Sequence, residues 1–208
     1  MLQTELSASA TPLQHRHLGA IAGLVLISLL SSLSGSPVDH ALANSWEGFL
    51  WGIADPVLSL DRLVSLVAIG LLSIGIARGT FIAGSFVFAA LLGTVIHLFQ
   101  LNFSGAEIAI ATSAIAFGAL LLTSSQLNWV VLALLGAIAG LFHGYANGAA
   151  IIGVEIMPLA TYILGITLTQ YVIVISAREI NSILPSKLRL VGLAFCAVGI
   201  VFLHNSIM

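Results

Sequence analysis

A chain of 208 residues that is 59% hydrophobic and only 7% charged cannot cover a soluble surface, because soluble domains average about 25% charged residues. Its formal net charge of −2, without a dense basic stretch, offers nothing to nucleic acid, and its single cysteine, Cys196, rules out an intrachain disulfide. The apolar residues fall in long runs, so the composition predicts an integral membrane protein with one membrane domain.

In chain order, polar residues 1–17 end in His15-Arg16-His17, and an apolar run follows from Leu18 to Leu33. This run suits a signal-peptide core, with a small-x-small cleavage pattern at Ala41-Leu42-Ala43; the other reading is an uncleaved seventh helix. Residues 1–43 are therefore read as a leader and 44–208 as the transmembrane domain. Six spans are predicted after the leader, near 57–77, 80–101, 105–123, 127–147, 149–176 and 188–204. Arg78-Gly79, Asn102 to Gly105, Ser124 to Asn128, Asn147-Gly148 and the stretch Arg178 to Arg189 punctuate them. The fold class is all-α and polytopic.

Placing residues 1–17 in the cytoplasm puts Arg16, Arg78, Arg178, Lys187 and Arg189 on that side, as the positive-inside bias requires; Arg62 is the exception. The same orientation gathers polar groups at the outer face. Asp55 and Asp61 open the first core span, Glu107 the third, His143 and Asn147 close the fourth, and Glu155 lies shallowly in the fifth. Ionisable groups at membrane depth usually mark a pathway or a pair.

The fourth span carries Gly136, Gly140, Gly144 and Gly148, a small-residue ridge that lets another helix approach closely. Ala139, His143 and Asn147 form the adjacent stripe, about 100° round the helix. Other residues have structural readings beside functional ones. Asp55 before Pro56 reads as a helix N-cap, and Asp61 with Arg62 as an ion pair near the interface. Ser104-x-x-Glu107 reads as a capping box, and Glu155 as an acid beside a kink at Pro158.

The block "FHGYANG" at 142–148 closely resembles the signature of the HupE/UreJ family, and "DPVLSLDRLVSL" at 55–66 resembles the family's other signature. "SGAEIAIATS", with Glu107 and Ser113, is similar to its middle segment. The resemblance covers about residues 46–176 and implies a nickel or cobalt permease whose His and acidic residues form the metal path. Imidazole and carboxylate suit those ions. Carried onto this sequence, His143 and Asp61 match, whereas Asp55, Asn147 and Arg62 stand where the family pattern has histidine. Ser59 replaces a glycine and Ala150 the second motif's glutamate, with Glu155 the nearest acid. Arg62 sets a fixed positive charge beside Asp61, which opposes a divalent cation.

The sequence thus predicts a permease for nickel or cobalt in a bacterial inner or internal membrane. The ion is its cargo, no cofactor is tightly bound, and the metal-ligand candidates are His143, Asp61, Asp55, Asn147, Glu155 and Glu107. The alternative is a non-transporting subunit with an eroded site, packed as a homo-oligomer or in a larger membrane complex. Walker, CxxC and HExxH patterns are absent from the sequence, so no enzymatic activity is expected.

Overall fold

A computed structural model of the chain describes residues 2–34, 42–101, 105–123, 127–149, 151, 153–180 and 185–208, and the side chains of these residues except 2–14, 34, 185 and 186. The described residues form eight helices and no strands: α1 (Leu2–Ser34), α2 (Ser45–Leu58), α3 (Leu60–Leu72), α4 (Gly79–Leu98), α5 (Ala106–Leu122), α6 (Trp129–Ala149), α7 (Ile156–Arg178) and α8 (Pro185–Ile207). Among the described residues five segments are long and apolar enough to cross a membrane: His15–Leu33 and helices α4, α6, α7 and the Lys187–Ile207 part of α8; α5 is a shorter apolar helix. The protein is an integral, polytopic membrane protein.

The first core span differs from its expected form. It is not one helix at 57–77 but two helices, α2 and α3, broken at Ser59, whose backbone is extended (φ −93°, ψ 106°). Pro56 explains the break: it lacks an N–H, and its ring crowds the preceding turn, so α2 stops two residues later. Asn44, rather than Asp55, caps this segment, its side chain accepting from the Glu47 amide. The N-cap reading of Asp55 is therefore wrong. The 45–58 stretch was legible as apolar, but its proline and two acids disguised it.

Helix α3 sits at the centre, with Leu60 and every residue from Leu63 to Leu71 buried. A helix apolar on all sides buries all sides. Glycines set how its neighbours pack. Gly48 lies against Pro158 and Gly52 against Tyr162 and Gly165, while Gly70 lies against Val174 and Ala177. The broken segment α2–α3 therefore runs parallel to α7 along its whole length. The expected ridge on α6 is present: Gly140 meets the Phe86 carbonyl, Gly144 the Ala90 carbonyl and Gly148 the His97 ring, so α6 runs parallel to α4. Thr94 locks this seam, donating to the carbonyls of Ala90 and of Gly144.

The remaining boundaries fall within a few residues of expectation, apart from the start of α7, which begins at Ile156 rather than near 149. Arg78 covers the Trp129 ring at 4.8 Å, and Arg178 donates to the Ile76 carbonyl, so these basic residues share one end. Helix α1 is joined to the bundle through Ile21, which is buried in the main core. Ala41, Ser104 and Ala150 lie outside the described residues.

Candidate functional site

The site grows from the glycine ridge of α6. Close approach of α4 buries the neighbouring stripe, leaving His143 and Asn147 each 1% exposed. The His143 ring folds back along its helix, and Nδ1–H donates to the Ala139 carbonyl at 2.9 Å. Long side chains on a helix lean this way, toward the preceding turn. The edge of the ring meets Phe86 of α4, with centroids 5.3 Å apart. Since Nδ1 carries the proton, Nε2 presents a lone pair, and this buried nitrogen has no hydrogen-bond partner. A neutral imidazole with one nitrogen held by a carbonyl and the other open is the form that ligates metals.

One turn further along α6, Asn147 Oδ1 accepts from Nη1 of Arg62 at 2.5 Å. Arg62 thus reaches from α3 across to α6 instead of closing on Asp61, and the expected Asp61–Arg62 ion pair is replaced by this interhelical bond. The reason is geometric. Adjacent residues on a helix point about 100° apart, so Asp61 and Arg62 leave α3 in different directions. Both still lie close to His143.

Asp55 is 4% exposed, and its Oδ2 accepts from the Tyr162 hydroxyl of α7 at 2.5 Å. This partner escaped the sequence reading, although Tyr162 and the glycines at 48, 52 and 165 were visible signals of a tight α2–α7 seam. Ser65 and Ser113 meet at 3.4 Å between α3 and α5. Each hydroxyl also donates to a carbonyl of its own helix. Four expected metal-ligand candidates, Asp55, Asp61, His143 and Asn147, therefore lie at or near the junction of α3, α6 and the end of α2.

Glu107 and Glu155 do not join them. Glu107 is exposed in the first turn of α5, whose N-cap is Gly105 in the left-handed region (φ 93°), with no side-chain cap. The capping-box reading fails because the helix starts one residue later than a Ser104 cap requires. Glu155 is exposed and is the N-cap of α7 rather than an acid inside it. Pro158 sits in that helix's first turn, where its missing N–H costs no helical bond, so it begins the helix and does not kink it. His97 stacks edge-on against Tyr145, with centroids 4.4 Å apart.

The arrangement offers one open imidazole nitrogen, two carboxylates and an amide oxygen, with a guanidinium among them. Among the described residues no group of three His, Cys, Asp or Glu is close enough to hold a metal ion. The Arg62–Asn147 hydrogen bond spans the junction. The sequence matches the family model described as HupE / UreJ protein over residues 13–202. No curated protein and no solved structure matches it.

Proposed function

Since the chain belongs to the HupE/UreJ family, which is associated with nickel or cobalt transport and with urease or hydrogenase maturation, we propose that it is a membrane permease for one of these ions. One observation carries the reading. His143 Nε2 is a buried lone pair without a hydrogen-bond partner in the α4–α6 seam. An unpaired buried acceptor costs about 1–3 kcal/mol, a cost that a bound metal ion would offset. Asp61 supplies the negative charge, and Asp55 and Asn147 supply oxygen donors.

Arg62 decides when the site can bind. Its positive charge opposes a divalent cation at close range, so the ion enters only as Arg62 leaves Asn147 or turns toward Asp61. The Arg62–Asn147 bond favours a second reading, in which the site is eroded and the chain is an accessory subunit of a larger membrane complex. Calorimetric titration of the purified protein with nickel and with cobalt separates the two. The permease reading expects saturable binding that His143→Ala removes. Absence of binding in the wild type, with binding restored by Arg62→His plus Asn147→His, establishes the eroded site.

A further inference from the structure

The six core segments fall into two sets of three in chain order. The first is the broken span α2–α3, then α4, then α5; the second is α6, α7 and α8. Their packing crosses over. The first member of one set pairs with the second member of the other, in parallel, on both sides: α2–α3 with α7, and α6 with α4. The third members, α5 and α8, pair with each other and run antiparallel. Gly118 lies against Gly192 and Cys196, and Gly199 lies against Ala111 and Ile115. One and the same step along the sequence carries Ala111 to Gly192, Ile115 to Cys196 and Gly118 to Gly199. The α5–α8 crossing is thus two-fold symmetric in its own contacts.

A rotation that exchanges the two sets reproduces all three pairings. Each set has three spans, an odd number, so the sets enter the membrane from opposite sides, and the axis lies in the membrane plane. Helices α3 and α6 are counterparts and meet antiparallel, with Ile69 against Gly136 in one half and Arg62 bonded to Asn147 in the other. His143 lies between these two contacts along α6, beside the axis. Inverted pairs of this kind place a transported ion near mid-membrane, at the interface of the repeats and beside a discontinuous helix. Here that helix is α2–α3.

From this geometry we infer that the core is an inverted repeat of two three-helix units, and that access to the His143 region alternates by rocking of the α2–α3/α7 pair against the α4/α6 pair. Each pair moves as one body, because its glycines bring backbone onto backbone and leave no room to slide. The α5–α8 crossing is the pivot. Arg62 belongs to one body and Asn147 to the other, so their hydrogen bond is the latch on the outer half. The alternation rests on the permease reading; the repeat and the two rigid bodies do not.

The test measures distances between spin labels on cysteine pairs in a Cys196→Ser background, in liposomes of phosphatidylethanolamine and phosphatidylglycerol. All the labelled positions are exposed. Leu50 with Val95 spans the two bodies at the outer half, and Val131 with Val172 spans them at the inner half. Leu50 with Leu164, and Phe88 with Leu134, report within one body each. Arg62→Ala opens the latch, so the outer pair should lengthen by about 2 Å and the inner pair shorten, the scale of helix shifts at interfaces that change state. Both within-body pairs should stay unchanged. Asn147→Ala removes the other end of the latch and must give the same shift. Unmoved between-body distances in both variants, or within-body distances that move as much, overturn the proposal. Because no metal is added, a failure of metal transport leaves this result intact.

Discussion

Arg62 and Asn147, 85 positions apart in sequence, are joined by a hydrogen bond of 2.5 Å between α3 and α6. By the resemblance drawn from the sequence, both residues stand where the family signatures carry histidine. In this chain they satisfy each other: a guanidinium donor faces an amide oxygen. A change at one of them alone leaves the other without its partner.

That reciprocity gives the first prediction. Arg62→His or Asn147→His alone should improve nickel affinity little, because the remaining partner still disfavours the ion or lacks a ligand nitrogen. The double variant sets imidazoles at 62 and 147 beside His143, two of them at i and i+4 on one helix face. Its affinity should rise by about tenfold or more over wild type, roughly 1.4 kcal/mol. Calorimetric titration of the three variants checks the non-additivity; additive single effects contradict it.

The glycine seams should tolerate no added carbon. A Cβ at Gly144 would fall on the Ala90 carbonyl, and one at Gly140 on the Phe86 carbonyl, whereas one at Gly84 meets nothing within 4 Å. Gly140→Ala and Gly144→Ala should each cost about 1–3 kcal/mol through forced backbone shifts, and Gly84→Ala should be neutral or stabilising. Thermal unfolding in detergent compares them; equal melting temperatures would remove the ridge from the account.

Tyr162→Phe should destabilise the α2–α7 contact by about 1–3 kcal/mol, because it takes a donor from the buried Asp55 carboxylate. Asp55→Asn in the Tyr162→Phe background should recover part of the loss, since a neutral amide needs less compensation than a carboxylate. A double-mutant cycle on thermal unfolding measures the coupling, and a value near zero would show that the pair contributes nothing.

How much of this was readable in the sequence depended on periodicity. The ridge at Gly136 to Gly148 and the stripe through His143 and Asn147 follow from helical spacing alone, and both are present. The later spans were readable as apolar runs between polar breaks. The first core span was not, because Pro56 and Asp55 have the chemistry of a helix start, and only the docking of Gly48 and Gly52 on α7 shows that they end a helix instead. Glu107 opens its span, as its position suggested, but Glu155 misled for a related reason: sequence gives the depth of a residue to within a turn, and one turn separates an acid inside a helix from an exposed helix end. The partnerships of Arg62 with Asn147 and Tyr162 with Asp55 join distant segments and have no local signal.

Orientation can be tested directly. Leu101 and Glu179 are exposed and follow the ends of α4 and α7, which the positive-inside bias places on opposite sides. In a Cys196→Ser background, Leu101→Cys should react with an impermeant thiol reagent added to intact cells, and Glu179→Cys only after lysis. Equal labelling before lysis would refute the topology.

The most direct measurement of the central claim is radioactive nickel and cobalt uptake by cells expressing the chain, with variants matched for protein level. Wild type should accumulate one of the two ions above a vector control. His143→Ala should fall to the control level, because it removes the open imidazole nitrogen, and Asp61→Asn should fall less far. A His143→Ala variant that transports like wild type would contradict the site. Wild-type cells that take up neither ion, beside an Arg62→His/Asn147→His double variant that does, would contradict the permease reading and establish the accessory one.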